Sequence, residues 1–181
     1  MGRVKKEIIL GVSASIAAYK ACEIIRQLKE EGLGVTVIMT AGAQEFITPL
    51  TLASLSRNKV YSGMFSDPES WDIEHISLAD KADLLLIAPA TADIIAKLAA
   101  GICDDLLSCT VLASRAPVLI APAMNCNMYE HKITQENIAQ LKKIGYKFVG
   151  PQKGKLATGK TGIGHLADVE DIVKEAKRIL K

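Results

Sequence analysis

Five apolar runs of strand length, at 8–12, 35–39, 84–88, 118–121 and 146–149, are each separated from the next by a stretch long enough to hold a helix. Runs as apolar as those at 84–88 and 118–121 describe strands buried on both faces. Strands spaced this way need crossover helices to pair, so the pattern predicts a doubly wound α/β fold: a Rossmann-like (flavodoxin-like) parallel sheet covered by helices on both sides. With 181 residues, 49% hydrophobic and 23% charged, the chain can bury one continuous core, and 1–181 reads as a single domain.

The intervening segments carry helix signals. Ile16, Ala17, Tyr19, Lys20 and Ile24 follow helical spacing, and the stretch 133–145 ends in lysines followed by Gly145, as a helix terminus should. The last helix is expected to begin near Asp168, whose carboxylate is placed to cap free amides. Residues 151–167, rich in glycine and lysine and without a period, read as a mobile surface loop. The N-terminal basic residues precede an apolar run too short for a leader and interrupted by Gly11 and Ser13. The segment therefore reads as the first strand of a cytoplasmic protein rather than as a signal peptide or a Gly2 lipidation site.

The 22 basic and 20 acidic residues are interspersed, giving a net charge of +2 and no electrostatic footprint for nucleic acid; no membrane partner is expected either. Cys22, Cys103, Cys109 and Cys126 form no CxxC pair, and His75, His131 and His165 lie far apart, so neither a disulfide framework nor a metal site is expected. Cys103 and Cys126 read as buried free thiols.

Ligands of an open parallel sheet bind beyond the carboxyl ends of its strands, which directs attention to the residues just after each run. After the first, Gly11-Val-Ser13-Ala14-Ser15 opens into a helix and can cradle a phosphate, although a plain serine cap explains it equally well. After the run at 84–88, Thr91, Ala92 and Asp93 place a hydroxyl and a carboxylate at a helix start, for which capping again suffices. After the run at 118–121, Ala123-Met124-Asn125-Cys126-Asn127-Met128 sets an amide between two methionines, a density that capping does not explain. His75 lies between carboxylates ahead of a strand. The stretch 154–161 satisfies GxxxxGK[ST], but Gly162 and Gly164 follow where a P-loop needs a helix, so the match reads as coincidental.

Taken together, GVSASIAAYK, HISLADKADLLLIAPATADIIAKLAAGICDDLL and APAMNCNMY resemble the homo-oligomeric flavin-containing cysteine decarboxylases, from about Ile8 to the final helix. The resemblance implies a homotrimer, or a trimer-based higher oligomer, with FMN at the interface between subunits. Ser13, Ala14 and Ser15 would then hold the FMN phosphate, with Thr40, Gly42, Thr91, Ala92, Asp93 and Ala123 around the flavin. His75 becomes the catalytic histidine, and Asn125 and Met128 hold the substrate carboxylate and shape its pocket.

The implied reaction is oxidative decarboxylation of a cysteine-derived thiol carboxylate. The coenzyme A branch, acting on 4′-phosphopantothenoylcysteine, stands first because of PAMN and the helices. The branch acting on the C-terminal cysteine of a lanthipeptide-type precursor stands second, and a non-catalytic flavin-binding regulatory subunit third. One departure bears on the outcome. The family pattern GxLACGxxGxG carries a cysteine acid where this chain has Thr158, and an alcohol is a poor proton donor for the step after CO2 loss. Many bacterial members continue into a ligase domain, which residues 1–181 do not encode, so a stand-alone enzyme or an excised domain is expected.

Overall fold

The computed structural model describes residues 5–64, 73–155 and 161–181. The chain runs β1 (Glu7–Val12), a 3-10 turn (Ile16–Lys20), α1 (Ala21–Glu30), β2 (Gly34–Met39), a second 3-10 turn (Ala41–Glu45), α2 (Pro49–Ser56) and β3 (Val60–Tyr61). It continues through α3 (Glu74–Lys81), β4 (Leu84–Ala90), α4 (Ala92–Ala100), α5 (Leu106–Ala113), β5 (Val118–Pro122), α6 (Cys126–Glu130) and α7 (Lys132–Lys143). It ends with β6 (Lys147–Phe148), β7 (Gln152–Lys155), β8 (Thr161–His165) and α8 (Val169–Ile179).

Six parallel strands form one sheet in the order β3-β2-β1-β4-β5-β6. This is the Rossmann order, and its direction reverses between β1 and β4, where a crevice opens at the carboxyl ends. The pleat sends alternate side chains to opposite faces. Ile8, Leu10, Val37 and Leu86 pack with α1 and α8 through Ile24, Leu28, Ile172 and Ala176. Ile9, Ile38, Leu85 and Ile120 pack with α4, α5 and α7 through Ile95, Leu107 and Leu141. Both faces are covered, which is why the strands read as unbroken apolar runs.

Three expectations change. β3 was not anticipated: two half-buried residues at a sheet edge are too few to show a period. Residues 151–167 are not a featureless loop, because β7 and β8 pair antiparallel there. Glycine and lysine hide the strand pattern; the hairpin is held instead by docking, with the Met124 amide donating to the Gly164 carbonyl at 3.0 Å. The strand at 161–165 also leaves no helix after the GxxxxGK[ST] match. Finally, Asp168 precedes α8 but caps none of its amides; its carboxylate accepts from Gln152 Nε2 at 3.1 Å.

Candidate active site

The crevice between β1 and β4 is closed at its base by one buried side chain. Ser13, 1% exposed, donates from its hydroxyl to the Pro89 carbonyl at 2.8 Å and accepts from the Thr91 amide at 3.0 Å. The hydroxyl thus ties the ends of the two central strands together. It faces the structure rather than the cavity above.

That cavity, about 530 Å3, is bounded by Ala14, Ser15, Tyr19 and Lys20 after β1, by Thr91 after β4, by Ala123, Met124, Asn125 and Met128 after β5, and by Gly164, His165 and Leu166 of the hairpin. Its size falls in the range of cofactor and substrate pockets. Of the residues expected from the sequence, Ala14, Ser15, Thr91, Ala123, Asn125 and Met128 are brought together here.

Capping and ligand binding prove compatible at these positions. Ser15 accepts from the Ala17 amide at 3.3 Å and Thr91 from the Ile94 amide at 3.4 Å, yet each hydroxyl keeps its hydrogen to donate. The Asn125 side-chain oxygen accepts from the Asn127 amide at 2.9 Å, so its NH2 remains available as a neutral double donor.

The other expected residues lie around this cavity without lining it. Thr40 and Gly42 follow β2, and a Cβ on Gly42 would come within 2.8 Å of the Ala14 methyl, so only glycine allows that approach. Ala92 starts α4. Asp93 is exposed, with its carboxylate 3.7 Å from Lys97. Lys97 also meets Asp104 at 2.9 Å and Asp105 at 3.2 Å; hydrogen bonding to Asp104 foremost, with Asp105 and the charge of Asp93, holds the lysine above its ordinary range.

His75 sits in the first turn of α3, half-buried, and is absent from the cavity wall of its own chain. The sequence placed it just ahead of a strand; a helix intervenes. Thr158 lies outside the described residues. Cys103 is exposed and Cys126 half-buried, so neither is the buried thiol expected.

Tyr19, Lys20, Met124 and His165 were not anticipated as cavity residues. Tyr19 and Lys20 were read as one face of a helix, whereas residues 16–20 form a 3-10 turn that tips them toward the crevice. His165 comes from the hairpin that the sequence did not reveal.

A flavin nucleotide can be tested against these residues. The Thr40 hydroxyl oxygen is buried and has no hydrogen-bond partner, a costly arrangement for a polar atom that no ligand completes. It stands on the loop that Gly42 lets close upon Ala14, in the same part of the chain fold as the small residues and the Ser15 hydroxyl after β1. Such a donor set suits a phosphate, and the apolar wall of Ala123, Met124 and Met128 suits a planar ring. The residues fit the group.

Residues 2–181 match the protein family described as Flavoprotein. The chain belongs to that family. Among curated flavoprotein relatives, a probable phosphopantothenoylcysteine decarboxylase of Streptococcus mutans is 48% identical over 177 residues, covering 97% of this chain and 99% of the relative. The coenzyme A biosynthesis bifunctional protein CoaBC of Bacillus subtilis is 48% identical over 173 residues, 96% of this chain. This chain spans only 43% of that bifunctional protein's length. Among solved flavoprotein structures, a cysteine-to-serine mutant of PPC decarboxylase complexed with pantothenoylaminoethenethiol superposes with a TM-score of 0.87 at 30% identity, covering 96% of this chain and 97% of its own. The FMN-dependent cysteine decarboxylase SpaF superposes with a TM-score of 0.79 at 30% identity, covering 94% and 97%.

Proposed function

We propose that the chain is an FMN-dependent carboxy-lyase that decarboxylates 4′-phosphopantothenoylcysteine in coenzyme A biosynthesis, with residues 1–181 acting as one FMN-binding domain. The observation that carries this reading is the cavity at the switch point, which the Asn125 amide and Met128 line together with Ser15 and Thr91. The names of the relatives support the substrate.

Ser13 shapes the floor; Ala14, Ser15, Thr40, Gly42, Thr91, Ala92, Asp93 and Ala123 hold or surround the FMN. When bound, the flavin supplies the two-electron sink that a cysteine carboxylate lacks. Asn125 orients the carboxylate with neutral donors. A cation there would stabilise the ground-state anion and oppose loss of CO2. His75 takes the thiol proton as the carbon bearing sulfur becomes a thiocarbonyl, which then accepts the electron pair freed when the C–C bond to the carboxylate breaks.

His75 does not line the cavity of its own chain, and it serves the cavity of a neighbouring copy in a homotrimer or a trimer-based assembly. Ile73, just before α3, and Ile76 within it flank His75 with 60% and 42% exposure, an apolar surface suited to such a contact. Cytoplasmic location follows from the pathway; among the described residues no helix is long and apolar enough to cross a membrane. A second reading, decarboxylation of a peptide ending in cysteine, is favoured by the likeness to SpaF and by Thr158, since an enethiol product needs no further proton.

The deciding experiment is anaerobic incubation of the FMN-loaded protein with phosphopantothenoylcysteine, followed by mass spectrometry and flavin absorbance. CO2 release is expected; no reaction, together with turnover of a cysteine-ending peptide, overturns the first reading. Mixing His75→Asn with Asn125→Ala protomers should restore activity that neither variant shows alone. Failure to do so removes the shared site.

A further inference from the structure

We propose that His165 is the acid that places a proton on the carbon losing CO2. This deepens the decarboxylase reading and rests on it. Replacing a carboxylate by hydrogen leaves an electron pair on carbon, and completing the reaction requires a proton there. Among the side chains lining the cavity, those able to exchange one are Tyr19, Lys20 and His165, and of these types imidazole is the one suited to proton exchange near neutral pH. The alcohol of Thr158 is not.

The hairpin presents this exposed imidazole in one tautomer. His165 Nδ1 lies 2.8 Å from the Leu166 carbonyl oxygen, an acceptor only, so Nδ1 carries a hydrogen and Nε2 is the exchanging atom. The ring lies against Gly154 of the paired strand, where an added Cβ would stand 3.3 Å from His165 Cβ and Cγ. The residue before it, Gly164, accepts from the Met124 amide at 3.0 Å, with a φ of +135° and its Cα so close to the Met124 carbonyl that a side chain would collide with it. His165 and Asn125 are therefore joined through one backbone hydrogen bond between their immediate neighbours. The group that donates the proton and the amide that orients the departing carboxylate are held on facing segments of one cavity.

The step balances as acid–base chemistry. The Nε2–H bond of the imidazolium breaks, and a C–H bond forms at the carbon that lost CO2 with the electron pair that C–C cleavage delivered to the enethiolate; the thiocarbonyl so regenerated would become the saturated thiol by return, to the carbon bearing sulfur, of the two electrons that bound FMN took up in the oxidation. The neutral ring retains Nδ1–H on the Leu166 carbonyl, so the ring need not reorient.

The test compares the FMN-loaded wild type with His165→Gln and His165→Ala, given phosphopantothenoylcysteine anaerobically in deuterium oxide. The wild type should release CO2 and yield saturated thiol carrying one solvent deuterium on the carbon that lost the carboxylate. Both variants should keep FMN occupancy and first-turnover CO2 release, while saturated thiol formation falls about 100-fold or more and the enethiol accumulates. Added imidazole should restore saturated product to His165→Ala. Independently of turnover, nitrogen NMR of the wild type should show the neutral His165 ring as its Nδ1–H tautomer. Unchanged saturated thiol in the variants, an Nε2–H tautomer, or a wild type that stops at the enethiol each overturns the assignment. Absence of CO2 release from the wild type overturns the decarboxylase reading itself, and the assignment with it.

Discussion

Ser13→Ala removes a single oxygen from the floor of the active-site crevice, and its cost can be worked from two hydrogen bonds. The hydroxyl donates to the Pro89 carbonyl at 2.8 Å and accepts from the Thr91 amide at 3.0 Å. The Pro89 oxygen keeps the Ser13 amide at 3.3 Å, so it is not orphaned. Among the described residues no other acceptor bonds the Thr91 amide. Losing a net hydrogen bond costs about 1 kcal/mol, and leaving the amide unpaired adds about 1–2 kcal/mol. The expected loss is therefore about 2–3 kcal/mol, which for a chain of this length lowers the melting temperature by roughly 5–10 °C. Urea unfolding followed by circular dichroism measures the free energy directly, and FMN retention should fall because Thr91 caps α4 from the same peptide. A change below about 0.5 kcal/mol would refute the reasoning, because it would mean that the two strand ends hold together without this hydroxyl.

Further outcomes follow from the same geometry. Thr40→Val removes the unpartnered buried hydroxyl, so the FMN-free protein should gain up to about 1 kcal/mol of stability while FMN affinity drops about tenfold; calorimetry and flavin titration separate the two. Lys97→Met should cost about 1 kcal/mol by cutting the contacts to Asp93, Asp104 and Asp105. Since the folded state binds the lysine proton more tightly than the unfolded chain, that advantage should persist from about pH 5, where the aspartates are ionised, to about 10.4 and shrink as pH rises further, which denaturation curves against pH will show. Gly164→Ala puts a Cβ into the Met124 carbonyl and should undock the hairpin at a cost of about 2 kcal/mol or more, read as faster hydrogen exchange of the Met124 amide.

Much of this architecture was legible because a parallel sheet buried on both faces leaves a local mark. Unbroken apolar runs such as 84–88 and 118–121, spaced by helix-length segments, point to buried parallel strands, and ligand-facing residues follow from strand ends. Ser15, Thr91, Asn125 and Met128 were thus within reach of sequence alone. The hairpin was not. Its strands, rich in glycine and lysine, are held by a backbone contact to Met124 far away in the chain, and no local pattern encodes such a partner. Tyr19 and Lys20 escaped for a related reason, since helical spacing does not distinguish an α-turn from a 3-10 turn until packing decides.

The sequence by itself determined the sheet, its crossovers, the family resemblance and the chemical types available at each strand end. Tertiary structure decided which of those groups meet. It turned the Ser13 hydroxyl into a brace, left the Thr40 hydroxyl unpaired, carried His165 into the cavity and left His75 outside it. Backbone propensity and hydrophobic periodicity act over a few residues, whereas a site is made by contacts between residues about forty to eighty apart, as Met124 with Gly164 and Ser13 with Thr91, and those are fixed only when the core closes.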